Sequence, residues 1–260
     1  DEPPGLDPTA SASAAIDRVV YSNIFEGLVK IDRDGKLVPG LALRWELSAD
    51  AKVYTFHLRK GVAFHNGDPF NAQAAKWNLE RGAAEGTKNA HPEFFRVIEK
   101  IETPDDATLK LTLKEVDALF LFRMAEGDAV MLPMKGFENT AAAPVGTGPF
   151  KFVEWKRGDS VSMERNPNYW NPQLPYLDKV TFRFIKDPSA QAAALKAGDV
   201  DLLGWLLAPE LAADIAKDKR FKVLAGASTS EVVMSTNNKA KPFDNKLVRQ
   251  AMAYAIDRKA

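Results

Sequence analysis

The decisive stretch reads Ser235-Thr236-Asn237-Asn238-Lys239-Ala240-Lys241-Pro242-Phe243-Asp244-Asn245 and leads directly into residues 246–260. The run from Val232 to Met234 before it is apolar and β-branched, and it predicts a strand that ends at the two asparagines. After the Pro-Phe turn, Asp244 or Asn245 can cap a helix whose apolar residues recur at helical spacing. A strand, a turn and an amphipathic helix in this order indicate an α/β flank.

Both ends of the sequence are abrupt. Residues 1–8 look like the loop after a strand, and their three prolines favour a fixed extended turn. The predicted final helix reaches the last residue without a glycine stop signal. We therefore expect the sequence to be part of a longer protein.

The composition disfavours several classes of function. The chain has 260 residues, 45% of them hydrophobic, which is enough for one large domain or two modest ones. Because 35 Lys and Arg balance 35 Asp and Glu, there is no strong field to attract nucleic acid, and we expect no nucleic-acid partner. Three histidines and no cysteine argue against a metal centre, and we expect no cofactor.

The middle of the chain differs in pattern from its flanks. Residues 43–145 are rich in predicted hairpins, whereas the flanks read as α/β. The segment Val180 to Leu203 predicts a strand–helix–strand crossover with parallel strands, its helix starting at Pro188 and ending at Gly198. Another strand is expected at residues 221–224. The predicted fold class is therefore mixed α/β.

Local signals mark further elements. Asp34-Gly35 predicts a hairpin over residues 29–40, and Asn71 is placed to cap a helix that runs to about Ala83. Residues 54–58 alternate between apolar and polar side chains, which predicts a half-buried strand.

Three residues at predicted strand ends are candidates for ligand contact. Trp205 follows the strand expected at residues 201–203, and open α/β sheets bind ligands at the carboxyl ends of their strands. A tryptophan of the core fits the same pattern equally well. The amides of Asn237 and Asn238 suit a polar ligand, and they suit the capping of a turn to the same degree.

Catalytic signatures are missing from the sequence. Gly146-Thr147-Gly148 has no following Lys-Ser/Thr and leads into a strand, so it predicts a structural turn rather than a phosphate loop. The three histidines lack ligand spacing, and there is no Gly-x-Ser-x-Gly elbow. We expect a protein that is not an enzyme, with no catalytic residue and no metal ligand.

Sequence blocks spread along the chain carry a family resemblance. They are residues 2–8 (EPPGLDP), 23–28 (NIFEGL), 39–42 (PGLA) with Trp45, 54–62 with 66–70 (YTFHLRKGV, NGDPF), 146–150 (GTGPF), 164–170 (ERNPNYW), 198–201 (GDVD) and 237–258. In this order they resemble the family 5 extracellular solute-binding proteins, the dipeptide- and oligopeptide-binding class of ABC importers.

The resemblance implies a two-lobed clamp that encloses its ligand. Residues 1–42 and 146–260 would form a discontinuous α/β core of lobe I, with residues 43–145 as an inserted α+β subdomain and lobe II outside this chain. The implied protein is periplasmic, or extracellular and membrane-associated. It is a monomer at full length, and it passes a peptide-like solute to the importer's permease subunits in the membrane.

The resemblance also implies which residues line the cleft. Carried over by position, they are Glu2, Pro3, Pro4, Gly5, Asn237 and Asn238, and Trp205 joins them through the strand-end argument. Pro3 and Pro4 have no backbone N–H to donate to an extended peptide, which leaves an opine, a sugar or a metal chelate open as the solute. A ligand-sensing domain of a regulator is the alternative function.

Overall fold

The computed structural model describes residues 2–206, 208–226 and 234–257. They belong to two compact units, Asp1–Leu207 and Ala208–Ala260. The strands of the first unit are β1 (Val29–Ile31), β2 (Leu37–Pro39), β3 (Ala42–Leu47), β4 (Val53–Leu58), β5 (Ile98–Asp105), β6 (Thr108–Leu113), β7 (Phe150–Lys156), β8 (Ser160–Arg165) and β9 (Lys179–Arg183). Its helices are α1 (Ala14–Val20), α2 (Ala72–Ala83), α3 (Glu93–Arg96), α4 (Phe120–Arg123) and α5 (Pro188–Ala197), with 3-10 turns at Gly127–Ala129 and Phe137–Asn139. The second unit contains α6 (Pro209–Ile215) and α7 (Lys246–Ala255).

The first unit is built on antiparallel sheets. The pair β1-β2, the four-stranded sheet β3-β4-β6-β5 and the three-stranded sheet β7-β8-β9 are separate. Together with the helices they give the mixed α/β fold class that the sequence predicts, and this prediction is confirmed.

The four-stranded sheet and α2 share one hydrophobic core. Phe56 of β4 and Leu109 and Leu111 of β6 are fully buried there, and Leu79 of α2 joins them. Each such side chain contributes about 1.5–3 kcal/mol by leaving water. The helix begins where predicted, because the side chain of Asn71 accepts a hydrogen bond from the backbone N–H of Ala74 at 2.9 Å.

A second core ties the N-terminal segment to the three-stranded sheet. Leu6 is fully buried in it, together with Ile16 of α1 and with Val161 and Met163 of β8. Because Leu6 is anchored in this way, residues 2–5 are held close to the β7–β8 hairpin.

Local sequence signals placed several elements correctly. The β1–β2 hairpin turns at Gly35, whose φ of 78° favours glycine, and one oxygen of Asp32 accepts hydrogen bonds from the N–H groups of Asp34 and Lys36. Helix α5 begins at Pro188 and ends before Gly198, as predicted. In the second unit Asn245 caps α7 by accepting a hydrogen bond from Leu247 N at 2.9 Å.

Two predicted strands are wrong. Residues 201–203 and 221–224 pair with no strand in the described part of the chain, and Leu202 is 79% exposed. The strand–helix–strand crossover over residues 180–203 therefore fails, and β9 instead pairs antiparallel with β8. A short apolar run becomes a strand only if a neighbour satisfies its backbone groups, and no described strand does so here. Two of the three residues in the run predicted at 232–234 lie outside the described residues.

Candidate functional site

The N-terminal segment at residues 2–5 is only partly open to solvent. Pro3 is buried, Gly5 is half-buried and Pro4 is exposed. The backbone N–H of Leu6 donates to the carbonyl of Ala141 at 2.9 Å, which fixes the end of the segment. Of the two prolines, it is thus Pro4 that a solute can reach.

The carboxylate of Glu2 lies against the tip of the β7–β8 hairpin, residues 155–158. Its Oε1 atom accepts hydrogen bonds from the indole Nε1 of Trp155 at 3.0 Å and from the backbone N–H of Gly158 at 2.9 Å. Two donors on one oxygen hold the side chain in a single orientation. The sequence pointed to Glu2 but not to the hairpin tip, because the two are separated by more than half of the chain.

Trp205 lies on the surface of the first unit. Its side chain is 47% exposed, and the guanidinium carbon of Arg18 lies 5.0 Å from the ring centroid. This exposure is too high for a tryptophan of the core. The argument from a preceding strand is wrong, since residues 201–203 directly before Trp205 form no strand. A role in ligand contact stays a prediction for this residue.

Asn237 and Asn238 are exposed and belong to the second unit. The side-chain oxygen of Asn237 accepts a hydrogen bond from Lys239 N at 3.0 Å, and that of Asn238 accepts one from Thr236 Oγ1 at 3.1 Å. The amide oxygens thus serve the local turn. The amide N–H₂ groups have no described partner and remain able to donate to a solute.

A buried carboxylate, Glu26, joins three of the sequence blocks. It accepts hydrogen bonds from Thr147 Oγ1 at 3.0 Å, from Tyr169 OH at 2.8 Å and from Trp170 Nε1 at 3.0 Å. Burial raises the pKa of Glu26, and the three hydrogen bonds oppose that rise. The guanidinium of Arg59 stacks over Trp170, 3.8 Å from its ring centroid. Through these hydrogen bonds, Glu26 links segments of the first unit that are distant in the sequence.

Gly146 and Gly148 serve close backbone packing. A Cβ atom on Gly146 would lie 2.0 Å from the carbonyl oxygen of Ile24, and one on Gly148 would lie 2.4 Å from that of Asn23. Strand β7, not a helix, follows the motif. The predicted structural turn is therefore confirmed.

His65 supports the same glycine turn. Its Nδ1 accepts a hydrogen bond from the N–H of Gly146 at 3.3 Å, and its Nε2 lies 2.9 Å from the carbonyl oxygen of Gly148. These partners select the neutral imidazole with its proton on Nε2. Burial lowers the pKa of His65 to about 4, in agreement with a neutral ring.

A separate acidic cluster lies between α1 and the 3-10 turn at Gly127–Ala129. Burial and the charges of Asp128 and Glu126 raise the pKa of Asp17 to about 6. His91 Nδ1 lies 3.0 Å from one oxygen of Asp128. Among the described residues, the other oxygen of Asp128 and one oxygen of Asp17 are buried without a hydrogen-bond partner.

The described residues contain neither a metal-binding cluster nor a membrane-spanning helix. Within residues 2–206, 208–226 and 234–257, no group of three or more His, Asp or Glu side chains is arranged to hold a metal ion. No helix in these same ranges is long and apolar enough to cross a membrane.

Solved structures define the class of protein. The chain is similar to the periplasmic binding protein AgaA of A. tumefaciens R10, solved with agropinic acid, at 36% identity and a TM-score of 0.84 over 99% of this chain and 52% of that one. It is also similar to the ABC-transporter-associated periplasmic binding protein DppA of Helicobacter pylori, solved with the peptide STSA, at 28% identity and a TM-score of 0.84 over 98% of this chain and 55% of that one. The fold is that of the periplasmic solute-binding proteins.

The chain belongs to the bacterial extracellular solute-binding proteins, family 5, whose model ("family 5 Middle") matches residues 36–260. A curated relative is the glutathione-binding protein GsiB of Pectobacterium atrosepticum, which is 36% identical over 98% of this chain and 50% of its own length. The chain thus spans about half the length of the curated relatives that it matches.

Proposed function

We propose that this chain forms the first lobe of the solute-binding component of an ABC importer. The protein captures a peptide-like small solute between two lobes in the periplasm and delivers it to the membrane permease. The observation that carries this proposal is the family match over residues 36–260, combined with a shared fold along 99% of the chain with a solved binding protein. A regulator is not favoured, because the relatives described above are binding proteins.

The proposed division into domains is the one that the family resemblance implies. Residues 1–42 and 146–260 form the core of lobe I, and residues 43–145 form the inserted subdomain. The two hydrophobic cores of the first unit support this division, because one is dominated by β3–β6 and α2 and the other by α1, β7 and β8. The boundary at residues 207 and 208 between the compact units is a separate feature.

The proposed cleft wall contains residues 2–5, Trp205, Asn237 and Asn238. The described contacts offer fixed hydrogen-bonding groups and the exposed ring of Trp205, which suit the binding of a polar solute. The solute stabilises the closed form since it contacts both lobes only when they approach each other, so binding shifts the population toward closure.

The ligands of the relatives and the two N-terminal prolines narrow the chemical class of the solute. Glutathione, agropinic acid and peptides are the ligands named for the relatives, and each carries at least one carboxylate. Pro3 and Pro4 lack the N–H groups that would pair with an extended peptide backbone. A short, charged solute is therefore favoured over a long extended peptide.

Thermal unfolding of the full-length protein tests the proposal. Glutathione, agropinic acid and the dipeptide Met-Leu are each added at increasing concentration. At a ligand concentration of one hundred times Kd, the free energy of unfolding rises by about 2.7 kcal/mol, so Tm should rise with concentration for at least one of them. A Tm that stays constant with all three would contradict the proposal.

A further inference from the structure

The hairpin tip at residues 155–158 carries a positive charge beside the carboxylate of Glu2. The guanidinium carbon of Arg157 lies only 3.3 Å from the ring centroid of Trp155, whose Nε1 donates to Glu2 Oε1. One indole therefore holds a cation over its face and an anion at its edge. Gly158, with φ of 77°, lets the turn bend so that its N–H reaches the same carboxylate.

Neither charge is paired with an opposite charge among the described residues. Within the described ranges no donor contacts Glu2 Oε2, and no acidic side chain lies within ion-pair distance of Arg157, which is exposed. The neighbouring Lys156 differs, because its Nζ lies 3.3 Å from Glu154. Glu2 and Arg157 are thus positioned by the same ring without forming an ion pair with each other.

We infer that Glu2, Trp155 and Arg157 form a subsite for a zwitterionic head group, the ammonium and carboxylate of an amino-acid moiety. Glu2 Oε2 accepts from the ammonium, and the planar guanidinium of Arg157 donates to the carboxylate. The inference rests on the proposed function and adds the chemical class of the solute.

The adjoining segment supports this choice over a neutral solute. A neutral solute would leave the carboxylate of Glu2 and the guanidinium of Arg157 without an opposite charge, and the backbone at Pro3 and Pro4 offers it no N–H donor. A compact zwitterion instead pairs its ammonium with Glu2 and its carboxylate with Arg157, both of which already contact the indole of Trp155. Because stacking on Trp155 preorganises Arg157, little of its side-chain freedom remains to be lost on binding.

Calorimetric titration of full-length variants tests the subsite. The probe is glutathione, because its γ-glutamyl moiety carries an ammonium and a carboxylate on one carbon atom. We expect Arg157→Gln and Glu2→Gln each to weaken binding about tenfold or more, since each removes a charge-assisted contact. Lys156→Gln is the matched control, and its Kd should stay within about twofold of wild type because the neighbouring charge already has an acidic partner.

The outcomes separate the subsite from the proposed function. If the wild type binds glutathione and both Arg157→Gln and Glu2→Gln bind it equally well, the subsite is wrong and the solute-binding function stands. If the wild type binds agropinic acid or Met-Leu but not glutathione, the subsite is wrong and the solute-binding function stands; if it binds none of the three, the function fails and the subsite with it. Arg157 is exposed, so its replacement should leave the urea unfolding midpoint unchanged and any loss of affinity is not a loss of folding.

Discussion

Glu26 is a buried charge whose partners come from far along the chain. Thr147 and Tyr169 lie 121 and 143 positions away from it, and both donate to its carboxylate. A carboxylate in low-dielectric surroundings is costly unless such donors surround it. No local sequence pattern predicts hydrogen bonds between residues so far apart. The block NIFEGL therefore supports the family resemblance but does not indicate the role of Glu26.

Replacing Glu26 with alanine should strongly destabilise the first unit. Three buried or partly buried donors would lose their acceptor, and we expect the free energy of unfolding to fall by about 3 kcal/mol. Urea unfolding, monitored by tryptophan fluorescence, measures this loss in the free energy of unfolding. Glu154→Ala serves as the control, because Glu154 is exposed and should cost no more than about 0.5 kcal/mol. Equal losses for the two variants would show that Glu26 has no special role.

Asp17 makes the free energy of unfolding depend on pH in the direction opposite to that of a carboxylate whose pKa is lowered by folding. Burial and the nearby Asp128 raise its pKa from 3.8 to about 6, so the folded protein binds the proton more tightly than the unfolded chain does. This contribution to stability is present below about pH 4 and is lost as pH rises through about 6.

Asp17→Asn should therefore stabilise the protein above pH 6. We expect a gain of about 1 kcal/mol at neutral pH, after allowing for the partial exposure of Asp17, and a smaller difference from wild type near pH 4. Unfolding titrations of both proteins at several pH values measure the difference. A difference that is independent of pH, or that grows toward acid, would contradict the raised pKa.

At the scale of elements, the sequence predicted helices better than strands. The starts of α2 and α7 were predicted because Asn71 and Asn245 cap them through contacts within a few residues. The strands expected at residues 201–203 and 221–224 failed because a strand depends on a partner that its own sequence does not specify. Helix capping is a local property, whereas strand pairing is a property of the whole sheet.

The turn before β7 gives a prediction at this scale. A methyl group at Gly146 would lie 2.0 Å from the Ile24 carbonyl oxygen, so Gly146→Ala must displace backbone and should cost about 3 kcal/mol or more. Gly204→Ala is the matched control, since nothing lies within 4 Å of the added atom, and its effect should stay within about 0.5 kcal/mol. The midpoints of urea unfolding of the two variants, each relative to wild type, give the comparison. A well-tolerated Gly146→Ala would mean that the turn is not tightly packed.

For the whole molecule, the resemblance identified the family, and the structure supplied the contacts. Glu2 was named from the sequence, but its partners Trp155 and Gly158 were not, because they follow it by more than one hundred and fifty positions. The candidate residues are divided between the two units, with Asn237 and Asn238 in the second.

The most direct test of solute capture is a calorimetric titration of the full-length wild-type protein with glutathione, agropinic acid and Met-Leu. We expect saturable binding of at least one of them at one molecule per protein chain, with a Kd of about 1 mM or tighter. The absence of saturable binding for all three solutes would contradict the proposal that this chain is the first lobe of an importer's binding protein for small charged solutes.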